Sequence, residues 1–189
     1  SFKNNTSILT KRLLDNYKKS LYFSDSIERG NSDIRRVSIN FKPAKFQYYK
    51  GSEDILEVLL EQPLEPMDSL ILTVSYKVKF PSNKFTRYGK NNLNDYILRY
   101  WYLVPAVCEQ GKWKAYSNMD IDHMYMNVID YDLNIKVPIN YHINSDLQSS
   151  KTYSKNLASY HLTGKNRVDI QLNITKEKSY PAYKTDHIV

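Results

Sequence analysis

Apolar residues recur every fourth position near the N-terminus of this chain and every second position through much of the remainder. The first spacing predicts an amphipathic helix over about residues 7–22, capped by the hydroxyl group of Thr6 or Ser7. The side chains that define its apolar face are Leu9, Leu13, Tyr17 and Leu21. Lysine residues fall elsewhere on the helical wheel, so one face is expected to pack and the other to meet water.

Four longer segments alternate apolar and polar residues, the pattern of a strand with one buried face. They are Val37–Phe41, Leu70–Phe80, Tyr131–Val137 and Val168–Ile174, and shorter apolar runs at 55–60 and 96–102 predict two more strands. Such strands are typical of antiparallel sheets. We therefore predict a mainly β fold, an antiparallel β-sandwich or related all-β domain with one N-terminal helix and strands from about residue 34 to 175.

Turn residues separate these strands. Glycine at Gly51 and Gly111 predicts turns, and the pair Thr163-Gly164 predicts another. The polar stretch 144–160, rich in Ser, Asn and Tyr, is predicted to be a long loop. The tail 180–189 is expected to be the start of a linker or a strand whose partner is missing.

Length and composition narrow the class of protein without naming a function. A chain of 189 residues with 41% hydrophobic and 25% charged residues suits one globular domain, 1–189. Its net charge of +7 lies wholly in residues 1–50, which hold 11 basic and 4 acidic side chains, while residues 51–189 hold 16 of each. Three function classes lose support: no apolar run is long enough to span a membrane, the neutral remainder disfavours a nucleic-acid binder, and the lone Cys108 excludes a disulfide framework.

Candidate catalytic chemistry is sparse. A zinc hydrolase typically places two histidines one helical turn apart with a glutamate beside them, and the four histidines lie far apart in sequence. The five glycines are scattered, so no phosphate-binding loop is predicted. Asp130 and Asp132 would share the solvent face of a strand, an arrangement that could serve glycoside chemistry or Ca²⁺ but is more typical of a solvated strand.

Aromatic residues are the unusual feature of the composition. The chain holds 17 Tyr, 6 Phe and 2 Trp, and Tyr100, Trp101 and Tyr102 are consecutive. On a strand the middle residue of this run faces opposite to its two neighbours. One face is expected in the core and the other exposed or covered, and exposed aromatics on a sheet can form a protein interface or stack on sugar rings.

The order of motifs from about residue 70 to 143 resembles a known domain. A long alternating strand ends in Phe80-Pro81, and a later strand runs into the segment Trp101–Val107. A turn, Lys112-Trp113, an Asp122–Tyr125 element and a strand closing on Pro138 then follow. This succession is similar to the N-terminal β domain of family M1 zinc metallopeptidases, the aminopeptidase N and leukotriene A4 hydrolase group, in the variant found in Bacteroidetes bacteria. The resemblance covers roughly 70 residues, and its motifs are structural rather than catalytic.

The resemblance implies a saddle-like accessory domain that packs on the catalytic domain of the same chain and helps wall the peptide-binding cavity. The family's His-Glu-x-x-His and Gly-x-Met-Glu-Asn motifs are absent. We therefore expect no catalytic, cofactor or metal residue in this chain, with zinc held by a missing catalytic domain and peptide substrate met only indirectly. The expected structural or docking residues are Trp101, Tyr102, Pro105, Trp113 and Tyr125.

The sequence leaves alternatives for the cellular location and the function of the chain. The chain, which lacks an initiator methionine, is expected to be a fragment of a larger protein from the bacterial cytoplasm, periplasm or cell envelope. The alternative function is a stand-alone aromatic-rich β-sandwich that binds glycan or peptide.

Overall fold

A computed structural model describes residues 2–117 and 124–176 of the chain. The fold is mainly β, with antiparallel sheets and one short helix near the N-terminus, so the predicted fold class is confirmed. The elements are α1 (Ile8–Asp15), β1 (Asn31–Ile39), β2 (Lys42–Pro43), β3 (Phe46–Tyr48), β4 (Leu56–Val58), β5 (Leu72–Lys79), β6 (Gly89–Lys90), β7 (Tyr96–Arg99), β8 (Val107–Glu109), β9 (Lys112–Lys114), β10 (Ile129–Pro138), β11 (His142–Ser145), β12 (Gln148–Ser154), β13 (Leu157–Arg167) and β14 (Gln171–Thr175).

The chain forms two compact units. Unit 1 contains the described residues of Ser1–Arg87 and Leu103–Met126, and unit 2 those of Tyr88–Tyr102 and Asn127–Val189. Unit 1 holds the helix, a three-stranded sheet in the order β2-β1-β5 and the two-stranded pairs β3-β4 and β8-β9. Unit 2 holds a three-stranded sheet, β10-β13-β12, and a four-stranded sheet, β11-β14-β7-β6.

Helix α1 begins where the sequence predicts but ends earlier. The Ser7 side chain caps it by accepting a hydrogen bond from the Thr10 backbone N–H. The predicted span 7–22 is wrong at its C-terminal end, because Tyr17 adopts a left-handed conformation with φ of 61°. The amides of Tyr17 and Lys18 then donate to the carbonyls of Leu14 and Leu13, which is the hydrogen-bond pattern of a Schellman cap.

A small core lies beneath the helix. Leu9 and Leu13 are buried with Phe85 and with Leu21, which is fully buried although it lies beyond the helix. Tyr17, the fourth residue of the predicted apolar face, is 89% exposed. The four-residue spacing therefore identified three true core residues, while the chain reaches Leu21 through turns rather than through continued helix.

The sheet of unit 1 follows the predicted alternation in β5, whose alternate residues Val74, Tyr76 and Val78 are partly buried. Strand β1 carries a β-bulge: Ile34 pairs with Tyr76, whereas Arg36 pairs with Ser75, so Arg35 is an extra residue. The predicted strand residue Phe41 instead lies in the turn after β1, with φ of 68°, and is exposed.

Unit 2 supplies most of the fully buried side chains. Four of its residues are 0% or 1% exposed and come from both of its sheets or from the segment between them: Ala158, Leu162, Ile170 and Leu172. The predicted strand over 131–137 is confirmed within β10, where Tyr131 and Val137 are buried and the polar residues Asp132, Asn134 and Lys136 between them are exposed.

Two loop predictions in this region are wrong. Residues 144–160, predicted to be a long loop, include β12 and parts of β11 and β13. Strand β12 is polar because it lies at the edge of its sheet, where both faces and one edge meet solvent and no apolar alternation is required. Thr163-Gly164, predicted to be a turn, lies inside β13 beside a bulge, with Gly164 paired to Tyr131. The predicted tail at 180–189 lies outside the described residues.

Candidate functional site

The five residues expected to serve structure or docking divide between the two units. Trp101 and Tyr102 lie in unit 2, while Pro105, Trp113 and Tyr125 lie in unit 1. The first two are partly buried and the other three are exposed.

Tyr102 is a packing residue in unit 2. Its ring meets the rings of Trp101 and Tyr131 edge to face, at centroid distances of 5.5 and 5.6 Å. The Tyr102 and Tyr131 hydroxyl groups are hydrogen-bonded at 2.7 Å. Burial and then this hydrogen bond raise the pKa of Tyr102 well above its usual range, so the phenol stays protonated and does not act as a base near neutral pH.

Trp101 carries an unsatisfied polar atom. Among the described residues, its indole Nε1 is the buried side-chain nitrogen or oxygen that has no hydrogen-bond partner. An unmet buried donor costs about 1–3 kcal/mol of stability. The ring nevertheless packs against Tyr102, so the position is held by aromatic contact rather than by hydrogen bonding.

A charged cluster adjoins this aromatic run. Arg99, on β7, donates to Asp169 Oδ2 through Nε at 2.6 Å and to the Tyr88 hydroxyl group at 3.0 Å. The side chains of the ion pair are 21% and 23% exposed. The guanidinium also lies 4.6 Å from the centroid of the Tyr100 ring. This cluster ties β7 to the segment before β14, which indicates a structural role.

One group of exposed aromatic residues in unit 1 lies on and just after the β8–β9 hairpin. Gln110 and Gly111 form its two-residue turn with φ values of 51° and 72°, as a type I′ turn requires. Val107 anchors the hairpin and is 5% exposed, whereas Trp113 on β9 is 69% exposed. The large ring of Trp113 therefore adds apolar surface in contact with water rather than to the core.

Two tyrosines of unit 1 form an exposed aromatic pair. Tyr116 and Tyr125 are 64% and 52% exposed, and their rings lie 6.0 Å apart between centroids. The Tyr125 hydroxyl group donates to the Glu109 carboxylate, which raises the pKa of Tyr125. We use the name aromatic surface of unit 1 for the three exposed rings of Trp113, Tyr116 and Tyr125, of which the two tyrosine rings contact each other. Asp122 and His123, the start of the predicted element that ends at Tyr125, lie outside the described residues.

A polar cleft of about 690 Å³ opens in unit 2 beside the bulge of β13. Its lining includes the predicted carboxylate pair Asp130 and Asp132 together with Asp146. Each carboxylate already has a partner: Asp130 accepts from the Asn166 backbone N–H, Asp132 lies 2.9 Å from His161 Nε2, and Asp146 forms an ion pair with Arg167. These contacts stabilise the bulge and the strand face.

No three His, Cys, Asp or Glu side chains in residues 2–117 and 124–176 are grouped to hold a metal ion. No helix there is both long and apolar enough to cross a membrane. Cys108 is exposed and lies opposite Trp113 in the hairpin.

Comparison with protein-family models, with curated protein sequences and with solved structures finds no match to this chain.

Proposed function

We propose that this chain is a non-catalytic accessory β domain of an M1-like zinc metallopeptidase, which packs on the catalytic domain of the same protein. The observation that carries the proposal is the aromatic surface of unit 1. Trp113 is 69% exposed on a short hairpin, and tryptophan and tyrosine are the residue types most enriched at the energetic centres of protein interfaces.

The chemistry of the described residues supports a scaffold role. Two polar clusters of unit 2 are satisfied internally, since the Arg99 and Asp169 side chains bind each other and the hydroxyl groups of Tyr102 and Tyr131 are paired. The pKa of each of these two tyrosines is raised, by burial first, which favours neutral phenols over reactive phenolates. Zinc and the peptide-cleaving groups would then belong to the catalytic domain.

The first test is to read the sequence that follows this chain in its open reading frame. We expect a His-Glu-x-x-His motif downstream, followed by a glutamate at the spacing typical of the family. The purified chain alone should neither bind zinc, measured by metal analysis, nor hydrolyse an aminoacyl p-nitroanilide. Hydrolysis that survives repurification and is lost with a chelator would contradict the non-catalytic role.

The second test compares Trp113→Ala in two contexts. In the isolated chain this exposed position should change the free energy of unfolding by no more than about 0.5 kcal/mol. In the parent protein, a buried tryptophan anchor at a domain contact should cost about 2 kcal/mol or more. Phe23→Ala is the matched control, since Phe23 is a 74% exposed aromatic residue of the same unit and should have a small effect in both contexts.

The glycan- or peptide-binding module is the competing function, and the same aromatic surface motivates it because exposed aromatic rings stack on sugars. It predicts that Trp113→Ala abolishes retention on a polysaccharide column and has equally small effects on stability in both contexts. That result, together with a reading frame that lacks the zinc motif, would replace the accessory-domain proposal.

A further inference from the structure

A second surface of unit 1 is built by the β-bulge in β1. In a regular strand, two consecutive residues point to opposite faces of the sheet, so one of the neighbours Arg35 and Arg36 would turn toward the apolar side. The bulge inserts Arg35 as an extra residue opposite Ser75, and both arginines are exposed. Bulges commonly serve to re-aim a side chain, and this one gives the sheet two adjacent exposed guanidinium groups.

Neighbouring residues of β1 and β5 extend this surface. Asp33 pairs with Lys77 and Asn31 with Lys79, and all four are exposed. We call Asp33, Arg35, Arg36, Lys77 and Lys79 the basic face; it has four cations and one carboxylate, a formal charge of +3. Within it, Asp33 Oδ2 lies 3.9 Å from Arg35 Nε, and Lys79 Nζ donates to the Ser26 carbonyl at 2.6 Å.

We propose that the basic face is a docking surface for a carboxylate-rich segment of a protein partner. The arginine fork matches a carboxylate with two parallel hydrogen bonds, which favours paired contacts at Arg35 and Arg36. This inference uses only β1 and β5, so it stands apart from the proposed function.

Three observations favour an acidic protein segment over nucleic acid. Asp33 lies among the cations and would repel a uniformly charged polyanion, whereas a protein segment can place a hydroxyl group or a cation opposite it. The basic face also contains no aromatic residue on which single-stranded bases could stack. The basic face has four cations, and one of them is already bonded to Ser26. DNA-binding proteins with a steep salt dependence make about six to ten phosphate contacts, which is more than this face can supply.

The test is binding of a fluorescein-labelled peptide of alternating Glu and Gly to the full chain, followed by fluorescence anisotropy. The double variant Arg35→Gln/Arg36→Gln should lose at least about fivefold in affinity, because two charge-assisted pairs are removed. The control, Lys18→Gln/Lys19→Gln, removes the same charge from exposed positions of the same unit and should change affinity by less than about twofold. Arg35→Lys/Arg36→Lys keeps the charge but loses the fork, and we expect an intermediate affinity.

Circular dichroism verifies that each variant folds. If the arginine substitutions disturb the bulge, Lys77→Gln provides a second variant, and we expect it to lower the affinity for the peptide. Three outcomes overturn the proposal. One is no peptide binding by the unaltered chain, and another is an equal loss in the arginine and lysine double variants. The third is tighter binding of duplex DNA or heparin than of the peptide, lost with the same arginines, which would assign the basic face to a polyanion.

Discussion

Gly164 provides the sharpest test of the packing in unit 2. It lies inside β13, paired with Tyr131, and a Cβ atom added to it would lie 2.4 Å from Leu147 Cδ2 and 3.3 Å from Arg167 Cγ. Its φ is not in the left-handed region, so alanine would be strained by contact rather than by backbone conformation. Leu147 is 7% exposed and also lines the polar cleft of unit 2, so its Cδ2 methyl group must shift for the alanine to fit.

Overpacking of this kind costs about 1–3 kcal/mol, so Gly164→Ala should lower the free energy of unfolding of unit 2 by that amount. Leu147→Ala should cost about 2–5 kcal/mol, because it leaves a cavity. In the double variant the alanine Cβ would occupy space that the leucine vacated. The combined cost should then be smaller than the sum of the two single costs by about 1 kcal/mol or more.

The assay is urea unfolding followed by tryptophan fluorescence in a Trp113→Phe background. The chain contains two tryptophans, so this background leaves Trp101, in unit 2, as the reporter. Gly51→Ala is a useful comparison, because Gly51 has φ of 84° and no atom within 4 Å of the added Cβ. Its cost should come from the backbone and be independent of Leu147. Additive costs for Gly164→Ala and Leu147→Ala would refute the contact between them.

Two further predictions concern the helix cap and the alkaline limit of stability. Ser7→Ala removes the acceptor for the Thr10 N–H and should cost about 1 kcal/mol in chemical unfolding, whereas Ser7→Thr, which keeps a hydroxyl acceptor, should cost less. Burial, with a hydrogen bond to Asp169, raises the pKa of Tyr100 to about 12, so the folded state holds this proton more tightly than the unfolded state. The stabilising contribution of Tyr100 should be complete below about pH 10, the pKa of tyrosine in the unfolded chain, and should be lost between about pH 10 and 12. Tyr100→Phe should make the fall in the free energy of unfolding over this range shallower. An unchanged slope would contradict the raised pKa of Tyr100.

The long alternating strands could be predicted from the sequence because each has one buried face. Val74, Tyr76 and Val78 on β5 are partly buried at every second position, as their spacing requires. Strand β12 could not be found in this way, because an edge strand with both faces wet leaves no apolar period to detect. Its pairing depends on β13, which lies alongside it in the folded chain.

Other errors have local physical causes. The sequence predicts too long a helix because Leu21 continues the four-residue spacing. Leu21 is indeed fully buried, but the left-handed Tyr17 has already ended the helix. Gly164 was assigned to a turn because glycine is common there, whereas its function here is to leave room for Leu147. The bulge of β1 did leave a signal: Ile34 and Val37 are three residues apart, a spacing that strict alternation cannot place on one face.

The candidate site was only partly accessible from the sequence. An aromatic residue on a short hairpin has the same local pattern whether it is buried or exposed, so Trp113 could be named as a docking residue but its 69% exposure could not be foreseen. Asp130 and Asp132 were correctly placed on an exposed strand face. Their partners, Asn166 and His161, come from β13, and sequence spacing carries no information about them.

The two surfaces proposed for unit 1 can be separated by salt because their chemistry differs. Contacts at the basic face are charged and exposed, so their contribution should fall as the Debye length shortens from about 10 Å at 0.1 M salt to about 3 Å at 1 M. Contacts at the aromatic surface bury apolar area and should weaken little over that range. Charged rim residues mainly alter association rates, whereas a buried aromatic anchor mainly alters dissociation. The variants Trp113→Ala and Arg35→Gln/Arg36→Gln can be compared for binding of the same partner. If both changed the same rate constant with the same salt dependence, the two surfaces would act as one.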